Sequence, residues 1–157
     1  MAVGLPKHST MHDNPTFFAQ ETDYSCAVAC LRMVLSVYGI EQTEAELREL
    51  CDSGSDGTEA LKLVDAARSL GLKRTHKTNL PLAELISECT SNRYPIVYVR
   101  TDSRSLPYST QHAYVVIEAN QDTITVLDPW TGRRELSTQE FEREWGQMRG
   151  LAILCQE

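Results

Sequence analysis

The stretch QETDYSCAVACLRMVLSVYG (residues 20–39) decides how the rest of the chain is read. Within it Val28, Leu31, Val34, Leu35 and Tyr38 recur at spacings of three and four, the pattern of a helix with one buried face. Gly39 stops that helix as a left-handed C′ residue. Cys26 therefore falls at or near the helix N-terminus, where unpaired N–H groups and the helix dipole favour a thiolate. Gln20 lies six residues earlier, on the lead-in. Its amide can fold back beside the Cys26 backbone N–H, and two such donors would hold a developing oxyanion. Each residue has a plainer reading. A cysteine inside a helix of a small protein usually packs, which is the role expected of Cys30 one turn on, and Gln20 alone would be a surface amide. The pair gains meaning only with a base from elsewhere in the chain.

Outward from this helix, Thr43-Glu44-Ala45-Glu46 is a capping box that opens a second helix through Leu47 and Leu50. Thr58 is the expected cap of a third, carrying Leu61, Val64 and Ala67 to a stop at Leu70-Gly71. Pro81 suits the first position of a fourth, with Leu82, Leu85 and Ile86. The period then changes. Residues 95–101, 112–119, 123–128 and 150–155 are short β-branched runs between turn residues. Ser137-Thr138-Gln139-Glu140 is a second capping box, opening a short helix that would bury Phe141 and Trp145. Helices followed by strands predict an α+β fold: a helical half with the nucleophile helix packed against an antiparallel sheet. Residues 1–15, punctuated by Gly4, Pro6 and Pro15, are expected to be an irregular tail, and residues 16–157 a single domain.

A base is available at the start of the second strand. His112 opens an apolar run in which a polar residue is otherwise unwelcome, and Asp128 closes the next strand before Pro129-Trp130-Thr131-Gly132. A three-residue hairpin loop at Asn120–Asp122 would set Tyr114 opposite Asp128 and make His112 its diagonal neighbour on the same face. A two-residue loop would send the two side chains to opposite faces, so the pairing depends on register. Asp128 has an ordinary alternative as a turn-opening residue before proline, and a lone strand-end histidine commonly has no duty. His8, His12 and His76 have no comparable partner, and neither a metal site nor a cofactor is expected. Taken together, the Cys26 thiolate would attack an acyl carbon, His112 would pair with it and protonate the leaving amine, and Asp128 would orient the imidazole.

Composition narrows the alternatives. The formal charge of -7, with Lys and Arg scattered, argues against a nucleic-acid partner. No run reaches the ~18 apolar residues of a membrane helix, and the N-terminus lacks the pattern of a secretory signal. The five cysteines are odd in number and irregular in spacing, which fits a reducing compartment and a cytoplasmic protein rather than a disulfide framework.

The order glutamine, cysteine, histidine, aspartate resembles the bacteriocin-processing, or double-glycine leader, peptidases, a papain-like group found fused to peptide-exporting ATP-binding transporters and as free-standing relatives. The matching pieces are the Gln20-to-Cys26 spacing, ACLRMVLSVYG (29–39), DGTEALKLVDAARSLGL (56–72), YPIVYV (94–99), QHAYVVIEA (111–119) and ITVLDPWTGRREL (124–136). The resemblance implies a papain-like fold and a cysteine peptidase acting on a peptide or protein, with Gln20 in the oxyanion hole, Cys26 as nucleophile, His112 as base and Asp128 as orienter. Family members commonly have Asp-Cys-Gly at the nucleophile, whereas this chain has Ser25-Cys26-Ala27. Two other functions suit such a fold: acyl transfer or deamidation on a protein, in which an amine or a glutamine side chain enters the same chemistry, and peptide binding without catalysis. Binding modules of this type typically lack the nucleophile, which is present here.

Overall fold

The computed structural model describes residues 14–101 and 111–157. The irregular tail expected over residues 1–15 lies, as far as residue 13, outside the described residues, and His8 and His12 lie there with it. In chain order the elements are α1 (Cys26–Val37), α2 (Glu44–Leu50), α3 (Ala60–Ser69), β1 (His76–Asn79), α4 (Leu82–Thr90), β2 (Ile96–Arg100), β3 (Gln111–Ala119), β4 (Thr123–Asp128), β5 (Gly132–Ser137), α5 (Thr138–Gly146) and β6 (Leu151–Leu154). The fold is α+β, with one antiparallel sheet in the order β1-β6-β2-β3-β4-β5.

Both faces of the sheet are covered. Helices α1, α2 and α3 pack on one face against Ile96, Tyr98, Ala113, Val115 and Ile117. Helices α4 and α5 cover the other, where Leu85, Phe141 and Trp145 meet Val97, Tyr114, Val116 and Val126. That double burial explains why β3 reads as a continuous apolar run instead of alternating. It also explains why nine of the twelve residues of α1 are buried, a helix enclosed on nearly every side.

The capping box at Thr43 forms as expected, with Thr43 Oγ1 accepting from Glu46 N–H and the Glu46 carboxylate accepting from Thr43 N–H. Two helix starts move by a residue. Glu59 rather than Thr58 caps α3, because the Thr58 hydroxyl is engaged with Ser53 Oγ at 2.6 Å. Pro81 occupies the cap of α4 with extended ψ, and the helix begins at Leu82. Gly39 has the positive φ its stop position requires (71°). At Gly150 (φ 71°) the backbone runs so close to the chain at Leu80 that a Cβ would stand 2.6 Å from the Leu80 carbonyl oxygen. Leu80 N–H donates to Gly150 O there, joining α4 to the last strand.

The β3–β4 hairpin departs from the expected loop and still arrives at the expected pairing. Ala119 pairs with Ile124, not Thr123, and Asn120 N–H donates to Thr123 O, so only Gln121 and Asp122 lie between the strands. Asn120 Oδ1 stabilises that tight turn by accepting from Asp122 and Thr123 N–H. Such a loop alone would separate His112 from Asp128. The register shift between Val116 and Glu118 inserts one extra residue in β3, and beyond it Val116 pairs with Val126 and Val115 with Leu127. The bulge thus restores the alignment in which His112 and Asp128 share a face.

Candidate active site

The functional candidates gather at the end of the sheet where β2 stops, β3 starts and β4 turns into β5. Alternation along β3 puts His112 on the side of Tyr114 and Val116, and the two rings meet edge to face with centroids 5.3 Å apart. Cys26 comes from the other layer, as the first residue of α1. Both line a cleft of about 250 Å³ together with Tyr24, Gly57, Tyr98 and Gln111. A larger hollow of about 550 Å³ between the N-terminal lead-in and the α1–α2 connection contains none of these groups.

His112 is the centre of the arrangement. Its Nε2 lies 2.7 Å from Asp128 Oδ1, with both side chains essentially removed from solvent. The ring also hydrogen bonds the Cys26 side chain, which leaves Nδ1 as the nitrogen on the thiol side. Burial by itself would drive the imidazole toward its neutral form. The bonds to Asp128 and Cys26 outweigh that and raise its pKa from 6.5 to about 9, so the ring is an imidazolium at neutral pH. Burial likewise opposes ionisation of Asp128, but His112, the Trp130 N–H and Arg134 together hold its carboxyl below the usual range. A cysteine sulfur against an imidazolium, backed by a carboxylate, is equipped for acyl transfer through sulfur.

Gln20 does not line the cleft. Its backbone N–H donates to Pro129 O at 2.9 Å, beside Asp128, and its Nε2 donates to Thr22 O at 2.7 Å, while Oε1 is buried without a partner. The lead-in is therefore tied both to the turn after Asp128 and to the loop before Cys26.

The Peptidase C39 family model matches residues 15–157, nearly the whole described chain. The chain belongs to the Peptidase C39 family. It is a cysteine peptidase, a hydrolase. The transport/processing ATP-binding protein ComA of Streptococcus pneumoniae is 35% identical over 130 residues, which is 80% of this chain and 17% of ComA. This chain thus spans under a fifth of that relative's length. Among solved structures, the peptidase domain of Streptococcus ComA, a bi-functional ABC transporter, superposes with a TM-score of 0.72 at 29% identity, covering 89% of this chain and 97% of that one. A double glycine motif protease from an AMS/PCAT transporter, in complex with its leader peptide, gives a TM-score of 0.69 at 21% identity and 90% coverage of each chain, a likeness of fold.

Around the C39 site stand residues that the sequence reading passed over. Arg134, on β5, donates from Nη1 to Asp128 Oδ2 at 3.0 Å and to the Tyr114 hydroxyl at 3.3 Å, and that hydroxyl donates to Glu144 Oε1 at 3.1 Å. Trp130 N–H donates to Asp128 Oδ1 at 2.9 Å. Every oxygen of Asp128 is thereby occupied, which fixes its plane. The second missed group is Glu44, wholly buried behind the loop that precedes Cys26. The remaining thiols are buried: Cys51, Cys89 and Cys155 are pushed up to about 12 by burial, and Cys30 is raised by burial and by Cys26. Cys26 alone is partly exposed.

Proposed function

We propose that this C39 peptidase removes leader segments from peptides, cleaving after a double glycine, with Cys26 as nucleophile, His112 as acid and base, Asp128 as orienter, and Gln20 with the Cys26 N–H as oxyanion hole. The observation that carries the reading is His112 held between Cys26 and Asp128. In the forward step the Cys26 sulfur attacks the scissile carbonyl carbon and the oxyanion forms. As the C–N bond breaks, His112 gives its Nδ1 proton to the leaving amine, and a thioester remains on Cys26. Neutral His112 then takes a proton from water, the hydroxide attacks the thioester, and the carboxylic acid leaves as the thiolate–imidazolium pair is restored. Small residues at the scissile bond suit a cleft of only about 250 Å³ walled by Tyr24, Gly57 and Tyr98, the last anchored through its hydroxyl to Thr58 O at 3.1 Å. A cytoplasmic setting beside a peptide exporter fits the transporter relatives. Among the described residues no helix is long and apolar enough to cross a membrane.

The test combines labelling with product analysis. Brief iodoacetamide treatment at about pH 6 should modify Cys26 ahead of Cys30, Cys51, Cys89 and Cys155. A synthetic leader peptide ending in Gly-Gly should be cut after the second glycine, and hydroxylamine should divert part of that product to a hydroxamate by capturing the thioester. Uniform labelling, or turnover that survives Cys26→Ala, would exclude the mechanism. Cleavage only elsewhere would exclude the double-glycine specificity.

The raised pKa of His112 makes a second prediction. The activity should fall on the alkaline side near pH 9, where the ring loses the proton it must deliver. Stability should follow the same group. A folded pKa above the unfolded value near 6.5 stabilises the fold fully below pH 6.5 and loses that contribution as pH rises through about 9, a change of about 3 kcal/mol. Denaturant midpoints measured between pH 6 and 10 should fall across that window in the parent and stay flatter in His112→Gln.

A further inference from the structure

One charged group sits where charge is costly. A carboxylate in the first turn of a helix ordinarily faces water and needs only the helix dipole. Glu44, the first residue of α2, is instead 0% exposed, and burial raises its carboxyl above the ordinary range. Its partners show what the burial achieves. Glu21 N–H lies 3.0 Å from Oε1 and 3.1 Å from Oε2, the Ser25 side chain hydrogen bonds the carboxylate, and Arg48 Nε stands 3.5 Å from Oε2. Glu21 follows Gln20, and Ser25 precedes Cys26. One carboxylate therefore grips both ends of the segment 20–25.

The grip is reinforced within the segment. Ser25 is wholly buried, and its Oγ accepts from Thr22 N–H at 3.0 Å. The Ser25 hydroxyl proton has two acceptors, the Glu44 carboxylate and Thr22 O at 3.2 Å. Thr22 O also receives the Gln20 amide, and Ser25 O receives Ala29 N–H at 2.9 Å, the bond that starts α1. A path of hydrogen bonds thus runs from Glu44 to the Gln20 side chain in one direction and to the N-terminus of the nucleophile helix in the other.

We propose that Glu44 is a positioning residue for the oxyanion hole: by holding Glu21 N–H and Ser25 it sets the Gln20 amide and the Cys26 backbone N–H in one geometry. The proposal rests on the catalytic reading of Gln20 and Cys26. A misplacement of an ångström at reacting groups costs on the order of 10²-fold in rate, and the loss falls on kcat because the oxyanion exists only after substrate is bound.

The test measures kcat, KM and Cys26 alkylation for Glu44→Gln, Glu44→Leu and Glu44→Asp, with a fluorogenic peptide amide ending in Gly-Gly as substrate. Glu44→Leu should lower kcat roughly 10²-fold with KM nearly unchanged. Glu44→Gln should recover most of that rate, since its amide oxygen still accepts from Glu21 N–H. Alkylation of Cys26 should stay close to the parent rate in each, because displacement of iodide forms no oxyanion. Glu44→Leu combined with Gln20→Ala should lose less than the product of the two single losses, since part of the Glu44 effect runs through the Gln20 amide. Should Glu44→Leu fail to fold, Glu44→Asp keeps the charge, withdraws it by one methylene and carries the same expectations. Parental kcat in the shortened or apolar variant, an equal fall in alkylation and turnover, or multiplying losses in the double variant would overturn the role of Glu44. Turnover surviving in Cys26→Ala would instead overturn the catalytic reading beneath it, so the two failures are separable.

Discussion

Replacing His112 with alanine should lower kcat/KM by roughly 10⁴-fold or more, the largest loss of any single substitution after that of the nucleophile. The size follows from its position: the ring is the cation beside Cys26, and in the proposed mechanism it is also the proton carrier for the leaving amine. Asp128→Ala should cost less, on the order of 10²–10³-fold, because the imidazole survives but loses the bond that orients Nε2. It should also move the alkaline limb of the pH profile below 9, since the Asp128 bond is part of what raises the ring. Asp128→Asn should keep more activity. Its amide oxygen can accept from His112 and Trp130, although the amide NH₂ then faces Arg134 Nη1, a donor. His112→Ala with Asp128→Ala should be little worse than His112→Ala alone, as residues acting as a unit are not additive. Removing a buried carboxylate also takes from Arg134 its ion-pair partner, so thermal melts must accompany the kinetics. Fully additive losses, or an Asp128→Ala enzyme as active as the parent, would reduce Asp128 to a turn residue.

The pairing tested by those variants was legible in the sequence only in outline. The patterns of α1 and of the central strands were plain because these elements are enclosed and must be apolar. Strands β1 and β5 were missed for the opposite reason. They form the two edges of the sheet, and their sequences, HKTN and GRRELS, are polar and charged. Edge strands commonly carry charge, which discourages pairing with other chains, and this erases the apolar signal that marks a strand. Arg134 was lost with β5. On an edge strand it looks like one more solvated charge, yet it pairs with the buried Asp128.

The hairpin register was legible in its outcome and not in its cause. Nothing in QHAYVVIEANQDTITVLD marks an extra residue in β3, because the bulge between Val116 and Glu118 uses ordinary strand residues. The expected alignment of His112 and Asp128 holds because a two-residue loop and a one-residue bulge offset each other. Glu44 was hidden by a correct motif. The capping box at Thr43 forms, and it gives no hint that the residue inside it turns away from solvent.

Gln20→Ala should lower kcat by roughly 10²–10³-fold, the range found when one donor to an oxyanion is removed. The surroundings of the amide argue for that size. An amide has two N–H groups. The one given to Thr22 O at 2.7 Å fixes the plane of the side chain, and the Gln20 N–H on Pro129 O fixes the backbone beneath it. On the proposed reading the second N–H is the donor left for the oxyanion, and a side chain already fixed in its plane makes such a donor effective. Because the oxyanion appears only after attack, the loss should fall on kcat with KM little changed, and alkylation of Cys26 should continue at nearly the parental rate. Gln20→Glu separates donation from packing, since it keeps the volume while a carboxylate presents only acceptors to the developing negative charge. It should be at least as slow as Gln20→Ala. A Gln20→Glu enzyme with parental turnover would assign the amide a purely structural part, as a brace between Pro129 and Thr22, and would leave the oxyanion to the backbone N–H of Cys26.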